Sequence, residues 1–431
     1  MGDTDDSRGR RVPAGRDDIP FTRDEVPRRS GAVCAIGPSP SLRRPCAAAG
    51  KAVAPCALGS LRSVIVWAEA VVSEIRPGWR GAAEVLAERA DTGATCRALA
   101  YTDLTAAPRL GDRLLLNVAA LDRGLGTGGY ALVVAVLDAD GHLTGQPPAP
   151  AGHLVKARYL PQQAMVAGAD EQGSPFHETL AEAEDLAGLP VVVADLHSAL
   201  PAVLAAVRLD RPATRVVYLM SDHGALPLAF SRTVAELTQA GWLAATVTAG
   251  QAFGGDLEAV NVHSGLLAAR LALDADIVVL TQGPGNLGTG TRWGFSGVAC
   301  GEAVNATAVL DGRPVGSLRI SAADLRSRHR GVSHHSLTAY RRVALLPADI
   351  AVPAFAGDLG ALGAQVEADL VGLERHRLHR IELDGLVEAL ERAPVRLSSM
   401  GRALDQDPGY FLAAAAAGRL AARLLGPTAT G

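Results

Sequence analysis

From Leu189 onward the chain repeats one pattern, a continuous apolar run that stops in small or polar residues, followed by a helix-like stretch. LPVVVADL, TRVVYLMSD, WLAATVTAG and ADIVVLTQG are the runs, and SALPAVLAAVRL, PLAFSRTVAELTQAG and SGLLAARLALD lie between them. A strand that is apolar on both faces has to be covered on both faces. Helices reached by right-handed crossovers supply that cover, so the pattern predicts an α/β fold, a mostly parallel sheet covered by helices. RVALLPADIAVP and HRIELD extend the sheet. DPGYFLAAAAAGRLAARLL predicts a closing helix with Asp407 as N-cap and Pro408 at its first position.

A different period precedes this. VIVWAEAVVSEI, AAEVLAERA, CRALAYTDL, RLLLNVAAL and YALVVAVLD are short β-rich runs with turn signals at Pro77-Gly78, Asp91-Thr92-Gly93, Gly111-Asp112 and Gly128-Gly129. No room remains for crossover helices, so residues 63–145 predict a small β-barrel-like domain of antiparallel strands. GQPPAPAG at 145–152 reads as a linker into an α/β domain with a C-terminal helix, over 146–431.

Residues 1–62 carry charge runs and GPSPSLRRPCAAAGKAVAPCALGS without apolar periodicity. They hold 11 basic and 7 acidic residues, against 30 and 38 in the remainder, and that change of sign marks a boundary. Two readings stand for the segment, a disordered tail or a mis-called start with Val64 as the true initiator.

Composition narrows the function classes. At 431 residues with 48% hydrophobic and 20% charged side chains, the chain is globular. A net charge of −4 gives no basic surface for a polyanion, and 4% aromatics offer little to stack bases on, so nucleic acid is excluded as a partner. No stretch is apolar for the roughly eighteen residues that a span requires, which excludes the membrane. FLAAAAAGRLAARLL, broken by Arg419 and Arg423, reads as a surface-docked helix. Five cysteines, Cys34, Cys46, Cys56, Cys96 and Cys300, make no C-x-x-C pair, and the N-terminus has no secretory h-region. Both point to the cytoplasm.

In open α/β sheets ligands bind beyond the carboxyl ends of the strands. Those ends carry Asp195, His197 and Ser198, then Ser221, Asp222, His223 and Gly224, then Gly250 to Glu258. For Asp195 and Ser221 the plainer reading is a helix cap. The fourth run enters DADIVVLTQGPGNLGTGTRWGFSG, where Gly283, Gly285 and Gly288, with Thr289 and Thr291, offer backbone N–H groups and hydroxyls to an anionic or polar ligand. GPGNLG fits G-x-G-x-x-G, but TGTRWG follows where a dinucleotide fold opens a helix, and no Gly-Lys-Ser/Thr closes a P-loop. Tight turns alone remain an alternative.

RISAADLRSRHRGVSHH is the second polar cluster. Arg326, Arg328 and Arg330 suit a phosphate or carboxylate, with His329 or His334 as proton donor. A divalent metal held by Asp324, His329, His334 and His335 ranks below that, because His-x4-His-His is no established ligand spacing. A solvated basic helix end, with Ser333 capping the next helix, is the bland alternative. Lys156 is the one lysine outside residues 1–62, among arginines otherwise, so a compact ammonium for a phosphate or an ion pair is expected there. His177 beside Glu178 reads as an ordinary helix start.

GLGTGGYALVVA, GHLVKARYLPQQ, GGDLEAVNVHSGLLAA, QGPGNLGTGTRWGFSG, RHRGVSHHSLTA and SSMGRALDQDPGYFLAAAAAGR together resemble the bacterial proteins of domain of unknown function family 3866. The resemblance spans roughly Val64 to Leu425 and leaves 1–62 outside. That family has no assigned activity, so the likeness transfers no catalytic residue.

The expectation is an enzyme acting on a small anionic substrate, phosphorylated compounds included. The glycine loop, Arg328, Arg330 and Lys156 would bind it, and Asp222, His223, His329 or His334 would move protons. A non-catalytic ligand-binding or regulatory protein is the alternative, and a metal-assisted hydrolase the third. No motif names a cofactor, and none encodes an oligomeric state.

Overall fold

Along Trp67–Ile75 (β1), Ala68, Ala70 and Val72 are buried between exposed neighbours, the period of a strand with one covered face. Ala82–Arg89 (β2), Thr95–Tyr101 (β3), Arg113–Asn117 (β4) and Tyr130–Leu137 (β5) complete a small mixed sheet. This computed structural model describes residues 65–426 except 139, 146, 147 and 149–151, so both readings of 1–62 lie outside the described residues. Pairing runs β1–β2–β3–β5–β4, and β4 also pairs with β1. The strands are not all antiparallel, as their short turns suggest. β3 and β5 run parallel, because β4 lies between β5 and β1 instead of folding back on β3.

A short antiparallel pair, Leu154–Lys156 (β6) and Ala164–Val166 (β7), and the turn of helix His177–Ala181 (α1) lead into the second sheet. Its first half comprises Pro190–Ala194 (β8), Leu200–Asp210 (α2), Val216–Ser221 (β9), Arg232–Gln239 (α3), Ala245–Ala249 (β10) and Leu257–Ala259 (β11). Val262–Leu271 (α4), Ile277–Gln282 (β12), Ala299–Val309 (α5) and Arg313–Gly316 (β13) follow. The antiparallel pair Ile320–Ser321 (β14) and Gly331–Val332 (β15) precedes His334–Thr338 (α6). Asp349–Pro353 (β16), Gly360–Asp369 (α7), Arg377–Ile381 (β17), Leu386–Glu391 (α8) and Pro408–Leu424 (α9) end the chain.

The order is β11-β10-β9-β12-β8-β13-β16-β17, with every neighbouring pair parallel. All residues of β8, β9, β10 and β12 are buried, as continuous apolar runs require. From β8 the chain moves outward to β9, β10 and β11, returns to β12 beside β8, and then crosses β8 to reach β13. Right-handed crossovers in opposite directions put α2 and α5 on opposite faces. Accordingly α2 packs on α8 and α9, and α5 on α4. The loops leaving β8 and β12 therefore diverge and open a crevice at the carboxyl edge.

The closing helix departs from expectation. It is not docked at the surface, since every residue from Gly409 to Ala422 is buried. Small side chains let it approach α2 closely, and Arg419 is satisfied inside. Its Nε donates to Asp210 at 2.9 Å, Nη1 to the Glu382 carbonyl at 2.7 Å and Nη2 to the Asp384 carbonyl at 2.9 Å. Asp407 holds the N-cap position but makes no capping bond. Its carboxylate instead accepts from Ser321 Oγ at 2.7 Å and Arg402 Nε at 2.9 Å.

At Gly418 a Cβ would stand 2.2 Å from the Val203 carbonyl oxygen of α2. Helix propensity alone would make Gly418→Ala stabilising by about 1 kcal/mol. The clash is with backbone and dominates, so we expect a loss of about 1–3 kcal/mol in urea unfolding. A stabilised variant would show that the two helices are not in this contact. Among the described residues no helix is long and apolar enough to cross a membrane.

Candidate functional site

β8 and β12 deliver two buried polar side chains to the crevice. Asp195, 4% exposed, follows β8 but caps nothing, as neither helical turn after it has a side-chain cap bond. Its Oδ2 has no hydrogen-bond partner among the described residues. Burial pushes the Asp195 carboxyl up to about 6, with the Arg319 charge opposing. Gln282 ends β12, and its Nε2 donates to the Asp195 carbonyl at 2.7 Å and to Asn286 Oδ1 at 2.9 Å. The Oε1 of Gln282 is buried without a partner among the described residues.

The glycine loop folds on itself. Thr289 N donates to the Gly294 carbonyl at 2.8 Å, Gly294 N to Thr291 Oγ1 at 3.1 Å and Leu287 N to Ser296 Oγ at 3.0 Å. Thr289 and Thr291 thus shape the loop, their hydroxyls 3.1 Å apart. Gly285 and Gly290 have φ of +90° and +81°, a region open to glycine at no steric cost. Gly283 lies against the Ala225 carbonyl, 2.4 Å from where a Cβ would sit. The N–H groups of Gly285, Asn286, Gly288 and Gly290 make no hydrogen bond among the described residues. These are free donors of the kind an anion uses.

The Arg/His segment reaches the same crevice. Ser333 caps α6, accepting from His335 N at 3.2 Å, and lies 2.7 Å from His329 Nδ1. That turn packs three imidazoles together, His329 to His334 at 4.9 Å, His329 to His335 at 4.8 Å and His334 to His335 at 4.4 Å between ring centroids. Phe295, from the glycine loop, stacks flat on His335 at 3.8 Å. Gly290 lies against Arg328, whose Nη2 would be 3.5 Å from a Cβ there. Loop and patch therefore face each other. His335 Nδ1 is 4.0 Å from Asp195 Oδ2 and 3.5 Å from Arg319 Nη1, which joins the patch to the strand ends.

Burial, reinforced by neighbouring positive charge, keeps the imidazoles neutral. His329 falls to about 3 and His335 to about 2, and His334 is lowered by burial and then by Arg328. Asp324 is taken up by guanidinium groups. Arg326 donates twice, at 2.9 and 2.8 Å, Arg402 Nη2 lies at 3.2 Å and Arg319 Nη2 at 3.5 Å. The Arg326 hydrogen bonds, with the charges of Arg326 and Arg402, hold its carboxyl well below the usual range against the effect of burial. Arg330 Nε donates to the Asp324 carbonyl at 2.9 Å. Arg328 is exposed and has no ion pair or hydrogen bond among the described residues.

Other expected residues lie apart from this cluster. Asp222 Oδ2 accepts from Gln251 N at 2.9 Å, and Oδ1 is 3.5 Å from His223 Nδ1. His223 lines a cavity of about 220 Å³ with Asn261, His263 and Glu302, which shares Ser221, Leu280 and Ala299 with the cavity of about 10 Å³ at Asp195 and Gln282. Lys156 is buried and donates to the carbonyls of Ala252 and Ala259. Of the metal candidates, His329, His334 and His335 lie together, while Asp324 is held by Arg326. Sequence reasoning missed Arg319, Gln282 and Phe295, and read Asp195 as a cap. Sheet order, which sets β8 beside β12, is the signal that selects them.

A family model described as protein of unknown function (DUF3866) matches residues 97–418. No curated protein and no solved structure matches the chain.

Proposed function

This chain belongs to the family of proteins of unknown function DUF3866, and we propose that it is a cytoplasmic enzyme acting on a small anionic substrate in the crevice between β8 and β12. The observation that carries the reading is a set of buried polar atoms left without hydrogen-bond partners among the described residues, namely Asp195 Oδ2, Gln282 Oε1, Arg319 Nη2 and His334 Nε2. An orphaned buried polar group costs about 1–3 kcal/mol, and a cluster of them is a feature of sites completed by a ligand.

The anion would take the free N–H groups of the glycine loop and the Arg328 guanidinium, with Arg330 adding charge at the rim. Asp195 would exchange protons with the substrate, while Gln282 orients it. Asp222, bonded to Gln251 N, and His223, on the neighbouring cavity, are left out of this assignment. The partner is a small molecule.

Phosphate, small phosphate esters and dicarboxylates are expected to raise the unfolding temperature of the full chain. Arg328→Ala, which removes an exposed side chain, is expected to weaken the best ligand by about 10–100-fold, as loss of a charge-assisted hydrogen bond does. Binding that survives both Arg328→Ala and His334→Ala would take the ligand out of this crevice. Turnover of the bound compound is the last arm, and binding without turnover would leave a sensor instead of an enzyme.

A further inference from the structure

We propose that His329, His334 and His335 together hold a divalent transition-metal ion of the zinc class, in a three-histidine site that leaves a coordination position open to the crevice.

Each of the three residues offers a ring nitrogen, and these nitrogens lie within 4.8 Å of one another. Tetrahedral coordination with bonds of about 2.0–2.1 Å places ligand nitrogens roughly 3.4 Å apart. Closing from one spacing to the other takes movements of about 1 Å, within reach of small side-chain rotations. The sequence spacing is unfamiliar because the ligands straddle a reversal. His329 ends a 3-10 turn, β15 follows, and α6 starts at His334.

Independent features support a ligand there. His334 Nε2 is buried and has no hydrogen-bond partner among the described residues. The His329 ring is fixed through Nδ1 by Ser333 Oγ at 2.7 Å, which leaves Nε2 for the ion. Behind His335, Asp195 Oδ2 lies 4.0 Å from Nδ1 and has no hydrogen-bond partner among the described residues, so closing that gap would give the carboxylate–histidine arrangement that orients metal ligands. Arg319 Nη1 lies 3.5 Å from the same nitrogen, and its Nη2 is 3.5 Å from Asp324, a carboxylate it shares with Arg326 and Arg402.

Donor chemistry selects the ion. Three imidazoles without a carboxylate suit zinc, cobalt or nickel, and not magnesium or calcium, which take oxygen ligands. Three protein ligands, instead of the four of a structural site, are the catalytic pattern. The proposal shares the crevice of the substrate reading and deepens it, but its test involves no substrate.

The test uses the full chain stripped with a chelator. Titration with cobalt(II) is expected to give a visible absorption band that saturates at one ion per chain, and zinc(II) to abolish it by competition. Millimolar magnesium should leave it unchanged. His334→Ala and His335→Gln are each expected to weaken zinc by more than the ~10–100-fold that loss of an outer hydrogen-bonding partner costs. Unfolding curves on each variant check that it is folded, and two different replacements guard against one that is not. His142→Ala, in the exposed Asp138–Asp140–His142 group, is the control and should bind as the parent does. Absence of a cobalt band in the folded parent overturns the proposal, as does zinc affinity unchanged in both variants or lost in the control. In that event phosphate binding to the metal-free protein would still uphold the substrate reading. A bound metal with no anion effect would instead uphold the three-histidine site and remove the substrate.

Discussion

Lys156→Ala is expected to destabilise the protein by about 3–5 kcal/mol, the cost of breaking a buried ion pair from one side, and to leave anion binding unchanged. The ammonium is 3% exposed and 3.5 Å from Glu258 Oε2. Nζ donates to the Ala259 carbonyl at 2.8 Å and to the Ala252 carbonyl at 3.1 Å, tying β6 to both ends of the segment around β11. Glu258 also accepts from Thr248 Oγ1 at 2.8 Å and Gly254 N at 2.6 Å. Without the lysine, a buried carboxylate and two carbonyl oxygens lose their donor together. Burial already raises the Glu258 carboxyl, with Lys156 holding it back. The variant's deficit should therefore shrink as pH falls and Glu258 takes up a proton. Urea unfolding at several pH values measures both. A deficit below about 1 kcal/mol at neutral pH would mean that water reaches the carboxylate and the pair is not buried.

Lys156 also shows what a sequence makes legible. A lone lysine among arginines does mark a place where a compact ammonium is needed, yet whether its partner is a ligand or a glutamate 102 positions away depends on the fold. The sheet was easier to read. β8, β9, β10 and β12 are apolar on both faces, so hydrophobicity alone identifies them. β13 is RPVG, four residues with a proline and a glycine, and only its neighbours β8 and β16 make it a strand. α9 was readable as a helix but not as a buried one, because Arg419 finds Asp210 and two carbonyls that no local pattern predicts.

The candidate site divides in the same way. Glycines at a strand end and a dense Arg/His segment mark themselves, and the structure sets them face to face through Phe295 on His335 and Gly290 against Arg328. Asp195, Gln282 and Arg319 have no distinctive local signal. They matter because β12 returns to lie beside β8 and because the link from β13 to β14 carries Arg319 across the crevice. A one-dimensional reading has no means of ordering strands, so it assigns such residues to caps and turns.

Asp195→Asn should stabilise the metal-free, ligand-free protein while weakening whatever binds in the crevice. A carboxyl raised to about 6 in the folded chain, from near 3.9 unfolded, binds protons more tightly folded than unfolded. Its contribution to stability is therefore fully present below about pH 4 and is lost as pH rises through 6, leaving a penalty on the order of 3 kcal/mol at pH 8. Asparagine has the same shape without the charge and escapes that penalty. The gain over the parent should accordingly be near zero at pH 4, grow from there to pH 6 and then level off. Arg319 sets a limit, since it loses the charge of Asp195 and keeps that of Asp324 at 3.5 Å. Thermal or urea unfolding of both proteins across that pH range tests the sign and the window together. A variant less stable than the parent at pH 8 would mean that Asp195 is already compensated within the folded chain, and the crevice would then lack the unmet demand that a ligand is proposed to fill. A stabilised variant that no longer responds to the anions binding the parent would show the exchange of stability for function that a working site imposes.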